Sequence, residues 1–546
     1  MKDSSIKSSK RLRTELQKIE KLLQEKKCKE ALAEIRDFET SQKIDKIPSE
    51  ELFQFYYLKA FILRSLGSYQ DALESGRKAF SIIKDTANNK KIAQTQYVLG
   101  LIHISLGNLK DAEVEIRDAL TGFRRAADYN GIVDALSRLG QIDFIKSNYA
   151  KAVDYTLEAL EYTKKTEDKR KTAILLGNLG VRYTLMSRWE EAEEKLRLSV
   201  KLNEENRDEI NLARGLLSLG YVSSQQRDFR KADKYYKKAV KIIFENNYNR
   251  EFAIYNEYSG ELEFVKGNYE KAKNHYLDAI EIGEKIAPEG DIINQSYRLL
   301  AELQVAQKQY DRALESCQRS LKVSLKLHDK LEQGVIYRVS AQAYLGKGDE
   351  KRAREHFENS ITCLKIIKNK YELAKTYLEV GKSRCFEYFV RLKFLGKAED
   401  LFKELDTEYH QGLVNLASAC LLFEHNEPER SLLFLNSAEK IFQELKEEKE
   451  LKSVSDLKKK LSFVPFASSF PQKVRFSDII TQDSEMLSVI EKARRIKDSP
   501  FTILLEGETG TGKDLLARAM HFESRYKDKP FCSGQLCGNS QGVGGE

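Results

Sequence analysis

The stretch SLGSYQDAL at residues 65–73 recurs along the chain in similar form. Related stretches read SLGNLKDAE at 105–113, IKSNYAKAV at 145–153 and VKGNYEKAK at 265–273. The alanine of each copy returns at steps of 40 residues, with one step of 41, as Ala72, Ala112, Ala152, Ala192, Ala232, Ala272, Ala313 and Ala353. Such a period predicts an array of similar supersecondary units, each packed on its neighbours.

Two further small residues keep the phase of this alanine. Twelve residues before it stand Ala60, Gly100, Gly140, Gly180, Gly220, Gly260, Ala301 and Ala341, and seven residues after it stand Ala79, Ala119, Ala159, Ser199, Ala239, Ala279, Ser320 and Ser360. Small side chains at helix crossings let two backbones approach closely. We therefore expect one helix to end near the turn and a second to begin just after it. A large apolar residue three positions before the alanine would fill the gap between them: Tyr69, Leu109, Tyr149, Trp189, Phe229, Tyr269 or Tyr310.

This spacing of small residues resembles the tetratricopeptide repeat over roughly residues 15–440. The usual repeat has about 34 residues, so the six extra residues predict about 9 Å more helix per unit. The resemblance implies an all-α superhelical solenoid of about ten helix pairs over residues 1–444. Its concave face would be lined mainly by the first helix of each pair and would bind protein or peptide ligands. Beyond Ala353 the phase degrades, since Ala398 follows 45 residues later.

Composition agrees with long, uninterrupted helices. The 546 residues include only 7 prolines, and 92 basic residues are interspersed with 84 acidic ones, which is typical of a solvated helical surface. No run of about 18 apolar residues predicts a membrane span, and the N-terminus lacks a signal-peptide core. Seven cysteines without a CxxC pair indicate incidental thiols in a reducing cytoplasm. Neither the scattered histidines nor any other group in the array forms a catalytic or metal-ligand constellation.

The chain changes character after residue 444. Residues 445–474 are predicted to be a charged linker, whose charge run is typical of a solvated helix. The apolar segment FTILLEG at 501–507 then predicts a buried parallel strand. It leads into a P-loop whose candidate nucleotide-binding residues are Gly507, Glu508, Thr509, Gly510, Thr511, Gly512, Lys513 and Asp514. The glycines allow a tight loop with backbone N–H groups facing phosphate, the helix N-terminus adds its positive dipole end, and Lys513 supplies a point charge.

Residues 475–531 resemble the opening of the AAA+ domain of bacterial enhancer-binding proteins, the ATPases that activate sigma-54 RNA polymerase. The resemblance rests on the acidic Asp514, where most P-loops carry Ser or Thr, and on the Ala-Arg-Ala-x-His helix from Ala517 to His521. It implies an α/β P-loop fragment, ATP with Mg as cofactor, and sigma-54 RNA polymerase as a partner of the intact domain. DNA would be contacted only through a C-terminal domain that this sequence does not contain.

The chain continues for 33 residues after Lys513, so we expect a truncated domain. The Walker B, sensor and arginine-finger regions are missing from it, and Lys513 alone cannot hydrolyse ATP. The tail at 532–546 is rich in glycine and fits no domain. Read one nucleotide later, its codons permit a Val-Asn-Cys-Ala stretch similar to the family's continuation after Phe531. We hypothesise a frameshift there, natural or a sequencing error, which would make Cys532 and Cys537 accidental.

Three functional hypotheses follow from these patterns. The first is a cytoplasmic sigma-54-dependent regulator in which the repeats sense a protein or peptide and are coupled to an ATP-binding domain. The second is a repeat adaptor or scaffold without a nucleotide function. The third is a peptide-sensing protein whose solenoid closes on a small signal.

Overall fold

The computed structural model describes residues 13–23, 25, 27–41, 47–463, 474–479, 481, 483–499, 502–507 and 511–527. These residues form helices joined by short turns, and we number the helices in chain order. The first, α1, covers residues 13–23. The others are α2 (Cys28–Ser41), α3 (Ser49–Ser65), α4 (Tyr69–Ile83), α5 (Asn89–Ser105), α6 (Leu109–Arg125), α7 (Tyr129–Ile145), α8 (Tyr149–Thr166), α9 (Lys169–Leu185), α10 (Trp189–Glu205), α11 (Glu209–Gln225), α12 (Phe229–Asn246), α13 (Asn249–Val265), α14 (Tyr269–Ile286), α15 (Asp291–Ala306), α16 (Tyr310–Lys326), α17 (Lys330–Gly346), α18 (Glu350–Ile366), α19 (Lys370–Lys382), α20 (Tyr388–Glu404), α21 (Glu408–Glu424), α22 (Pro428–Leu445), α23 (Glu448–Phe463), α24 (Ser484–Ile496) and α25 (Lys513–Phe522).

Short turns with a left-handed residue separate the helices of the array. Most helices are followed by one residue with φ between about 50° and 90°, as at Gly107 (φ 77°), Ala127 (φ 51°) and Ser147 (φ 59°). A residue in this conformation redirects the chain and ends a helix. The next helix often starts with a capping side chain: Asp168, for example, accepts a hydrogen bond from the Lys171 N–H at 2.9 Å. Helices of about 17 residues therefore alternate with three-residue turns.

The small positions lie where the sequence places them. All eight alanines of the 40-residue phase are fully buried, at 0% exposure. The residues from Tyr69 to Tyr310 that stand three positions before them each form the first residue of the second helix of a pair. At Gly220 a Cβ atom would lie 2.2 Å from the ring of Tyr236, so that crossing tolerates no side chain. The all-α repeat fold predicted from the period is confirmed.

The first helices of successive pairs also contact one another, from α9 through α11, α13, α15 and α17 to α19. They form a continuous inner layer, while the second helices pack outside it. The chain divides into two compact units, residues 1–421 and residues 422–546. The repeats thus supply one extended layer of inner helix faces within the first unit.

The second unit contains α22 and α23 and the P-loop segment. The charged run predicted to be a linker forms α23, which packs on α22 and buries Val454, Leu457 and Leu461. Its charges therefore lie on a solvated helix with an apolar inner face, while the boundaries 445 and 474 stay predictions.

The strand predicted for residues 501–507 is wrong for the described part, 502–507, which forms no strand. Ile503 and Leu505 pack against a small core with Phe476, Leu516 and Met520, but Leu504 is 78% exposed. A strand requires a hydrogen-bonded neighbour, and no other segment of the described residues pairs with this one. Among the described helices, none is both long and apolar enough to span a membrane.

Candidate ligand cavity and P-loop

A cavity of about 170 Å³ lies on the inner helix layer of the first unit. Its walls come mainly from the first helices α9, α11, α13, α15, α17 and α19, as the sequence predicts for the concave face, and Trp189 at the start of α10 also contributes. Its lining includes the carboxyl groups of Glu257, Glu261, Glu302, Glu332 and Glu372 and the basic groups of Arg298, Arg338 and Lys375. The cavity therefore has five acidic groups and three basic ones.

The three basic groups are all occupied by carboxylates of the same cavity. Arg298 donates from Nε to Glu332 at 2.7 Å and from Nη1 to Glu302 at 3.1 Å. Arg338 pairs with Glu372, which also accepts from Lys375 Nζ at 3.1 Å. Because these pairs are shielded from solvent, they interact more strongly than surface pairs and fix the side chains in place.

Glu257 and Glu261 on α13 form no such pair. Glu257 is 2% exposed and accepts a hydrogen bond from Ser296 Oγ at 2.7 Å. Glu261 accepts one from Gln225 Nε2 at 3.2 Å. Neither carboxyl forms an ion pair within 4.0 Å among the described residues. The cavity therefore retains two carboxyl groups without a cationic partner.

Burial shifts the protonation of these groups in different directions. It raises the pKa of Glu257 well above the usual value and also raises that of Glu261. It raises the pKa of Glu332 to about 7, although Arg298 opposes the change. Burial would raise the pKa of Glu372 as well, but Arg338 and Lys375 lower it far below the usual range. Burial thus favours the neutral form of Glu257, Glu261 and Glu332, whereas Glu372 keeps its charge beside two cations.

The start of α19 reaches across the cavity to much earlier repeats. Tyr371 contacts Trp189 edge to face, with ring centroids 5.6 Å apart, and its hydroxyl donates to Gln225 Oε1 at 3.3 Å. Asn369 Nδ2 donates to the carbonyl of Leu185 at 3.1 Å, across 184 residues of sequence. The array therefore closes on itself at this level. Trp189 packs as the repeat pattern predicts, and it also lines the cavity.

The cavity residues were not identified from sequence, but a signal for them exists. Pairs of polar or charged side chains flank the small position of the first helix, three residues before it and one after it, as Glu257 and Glu261 do around Gly260 and Arg298 and Glu302 around Ala301. Residues four apart share one helix face. Successive repeats therefore place these groups on the same inner surface.

The P-loop segment keeps the shape that its glycines require. Gly512 has φ 82° and is the N-cap residue of α25, which begins at Lys513. Lys513 Nζ lies back over the loop, 2.7 Å from the carbonyl oxygen of Gly507 and 3.3 Å from Thr511 Oγ1. The positive dipole end of α25 and this ammonium group suit a phosphate.

The residues near the P-loop are less well suited to binding a metal ion. Asp514, which replaces the usual hydroxyl residue, accepts from Arg518 Nε at 2.8 Å, so its carboxylate is already engaged. Glu508, Thr509 and Gly510 lie outside the described residues, as do Cys532 and Cys537. Of the predicted nucleotide-binding residues, the structure describes Gly507, Thr511, Gly512, Lys513 and Asp514. Phosphate contacts are available here without a ready ligand for Mg.

Fold and loop together define a helical repeat protein that carries a P-loop segment. The tetratricopeptide repeat family matches residues 131–205, 213–246 and 292–365, and the family of anaphase-promoting complex subunit 5 matches 56–146. The sigma-54 interaction domain matches residues 479–541, including part of the segment predicted to be out of frame. The chain thus combines tetratricopeptide repeats with part of a sigma-54 interaction domain.

Curated relatives resemble the second part of this combination. The HTH-type transcriptional regulatory protein TyrR of Haemophilus influenzae is 39% identical over 71 residues, 13% of this chain and 22% of that protein. The Nif-specific regulatory protein of Azospirillum brasilense is 39% identical over 61 residues, 11% of this chain and 10% of that protein. The chain therefore spans less than a quarter of the length of either relative.

A solved structure resembles the first part. A Rap protein complexed with competence and sporulation factor aligns with 76% of this chain and 99% of its own, at 16% identity and a TM-score of 0.47.

Proposed function

We propose that this protein is a cytoplasmic sigma-54-dependent transcriptional regulator, in which a repeat array that senses a ligand is joined to a nucleotide-binding domain. The observation that carries the proposal is the P-loop at the start of α25, within the segment that matches the sigma-54 interaction domain. The cavity in the array supplies a place for a signal to bind. In the intact domain, sigma-54 RNA polymerase would be the partner.

The nucleotide would be held by its phosphates. Lys513 would exchange the carbonyl of Gly507 for a phosphate oxygen, and the N-terminal end of α25 would bind beside it. ATP bound with Mg would supply the phosphate charge that these groups neutralise. Hydrolysis also requires a carboxylate near the metal and a group that positions water. None of the residues predicted to bind the nucleotide supplies the group that positions water, so we expect these residues to give binding without turnover.

Binding of a fluorescent ATP analogue to the full chain tests this proposal. Replacing Lys513 with alanine removes a charge-assisted contact of about 1.5–3 kcal/mol, so the affinity should fall by a factor of about ten or more. Lys492→Ala, at an exposed position on α24, is the matched control and should leave the affinity unchanged. A parent chain that binds no analogue, or equal affinities in the parent and Lys513→Ala, would exclude a nucleotide function.

A second candidate is a repeat adaptor or peptide-sensing protein without a nucleotide function. It is favoured by the first unit, whose cavity and closing contacts are complete without residues beyond 421. A chain that retains a cytosolic peptide or protein on its repeats but does not bind the ATP analogue would support this candidate instead.

A further inference from the structure

The charges of the cavity point to the chemistry of its ligand. Arg298, Arg338 and Lys375 are each engaged by Glu302, Glu332 or Glu372, at the distances given above. Glu257 and Glu261 form no ion pair within 4.0 Å among the described residues, although Arg298 lies near enough to oppose the rise in the pKa of both. An incoming positive charge would therefore find two carboxyl groups available, whereas an anion would have to displace an existing ion pair.

The two carboxyl groups face the same space. They stand four residues apart on α13, on one helix face, and both line the cavity. Glu257 is 2% exposed, so water does not solvate it freely. A buried carboxylate without a cation is costly, and a cationic ligand would remove that cost.

Aromatic side chains form another part of the cavity wall. Tyr221 and Tyr258 have ring centroids 4.8 Å apart, and Trp189 and Tyr371 meet at 5.6 Å. All four line the cavity. Aromatic faces attract organic cations through their quadrupole, most strongly where water is excluded. Carboxyl groups and aromatic rings around one cavity are thus suited to an ammonium or guanidinium group.

The size of the cavity and the types of side chain in the described residues narrow the class of ligand further. The cavity has a volume of about 170 Å³. A short alkyl chain with one charged end fits this volume, and a folded protein segment does not. No group of three His, Cys, Asp or Glu side chains suited to a metal ion occurs in the described part of the chain.

We propose that this cavity binds an alkylammonium or alkylguanidinium group, with its positive charge beside Glu257 and Glu261 and its alkyl part against the aromatic wall. The group could belong to a free amine or to a basic side chain of a short peptide. This inference names the ligand class of the repeat array and rests on the sensing role proposed above. Bound there, the cation would also contact Tyr371 and so stabilise the closed form of the array.

Calorimetric titration of the full chain at pH 8 and low salt tests the assignment. The probes are 1,5-diaminopentane and 1,5-pentanediol, which have similar length but differ in charge. A second pair is a hexapeptide with one central lysine and the same peptide with norleucine instead. We expect at least one charged probe to bind at least about tenfold more tightly than its neutral counterpart. If only the lysine peptide binds, the source is a peptide, and if the diamine binds, a free amine suffices.

Variants locate the binding group. Glu257→Gln keeps the shape of the side chain and should lower the affinity for the charged probe at least about tenfold. Glu261→Gln should lower it by a similar factor. Glu315→Gln, at an exposed position on α16, is the matched control and should have no effect. Equal binding of charged and neutral probes would overturn the inference even if a variant failed to fold, and so would equal affinity in Glu257→Gln and the parent.

The ATP-analogue assay on the same preparation separates this inference from the proposed function. A chain that binds the analogue but neither charged probe overturns the cation site alone. A chain that binds a charged probe but no analogue overturns the nucleotide function and leaves the cation site supported.

Discussion

Replacing Gly220 with alanine tests the packing principle on which the whole array depends. The new Cβ atom would lie 2.2 Å from Cε1, 2.5 Å from Cδ1 and 2.9 Å from Cζ of Tyr236. Carbon atoms in contact are normally about 3.5–4.0 Å apart, so the ring would have to move by more than about 1 Å. Tyr236 is 3% exposed and belongs to the buried core of α11 and α12. Overpacking of this kind costs about 1–3 kcal/mol.

Gly396→Ala is the matched control for this change. Gly396 lies inside α20, and its added Cβ would meet no atom within 4 Å. Alanine is favoured over glycine inside a helix by about 1 kcal/mol, and this gain applies at both positions. The difference between the two variants therefore isolates the cost of the clash, for which the three overlaps predict about 2–3 kcal/mol.

Hydrogen exchange measured by mass spectrometry is the suitable assay, because a repeat array opens locally and not in one step. In Gly220→Ala we expect amides of α11 and α12 to exchange roughly five- to thirtyfold faster than in the parent, as the clash is partly offset by helix propensity. In Gly396→Ala, amides of α20 should exchange about fivefold more slowly. If Gly220→Ala slows exchange as Gly396→Ala does, close packing at the small positions is not what specifies the array.

Three further changes test other features. Tyr236→Phe should stabilise α11 and α12 by about 1 kcal/mol, because the buried Tyr236 hydroxyl has no hydrogen-bond partner among the described residues, and faster exchange in this variant would contradict that. Burial raises the pKa of Glu332 from its usual 4.5 to about 7, although Arg298 opposes the change. The protonated carboxyl group therefore stabilises the folded state fully below pH 4.5, and this contribution is lost as the pH rises through 7. This amounts to about 3 kcal/mol, and denaturant unfolding of Glu332→Gln should be less pH-dependent than that of the parent between pH 5 and 8. Tyr371→Phe removes the hydrogen bond to Gln225 and should make α19 amides exchange about fivefold faster, whereas unchanged exchange would show that the hydroxyl does not hold the closure.

The sequence predicted the helices well because their determinants are local. The burial of Ala72 and its counterparts follows from the pattern of small residues within each unit of about 40 residues. Each turn follows from the residues at the turn itself. The prediction of a strand at 501–507 was wrong because the determinants of a strand are not all local. Its apolar residues are typical of a strand, but a strand also depends on a distant partner, which the described residues do not provide.

The P-loop and the cavity also differ in how local their determinants are. The P-loop was predicted residue by residue, since a loop and the helix after it form within about eight positions, and the structure places Gly512 and Lys513 accordingly. The cavity was not predicted, since its charged residues are spread over repeats from α13 to α19 and each is unremarkable in its own repeat. Only their common inner face brings Glu257 near Arg298.

By itself, the 40-residue period determined the helix pairs, their small crossing points and the inner position of the first helices. Only the tertiary structure decided that the array closes, bringing Tyr371 to Gln225 across 146 residues and around a cavity with two unmatched carboxyl groups. The physical reason is that curvature accumulates from a small rotation at each repeat interface. Every interface contributes to it, so no single stretch of sequence encodes where the array meets itself.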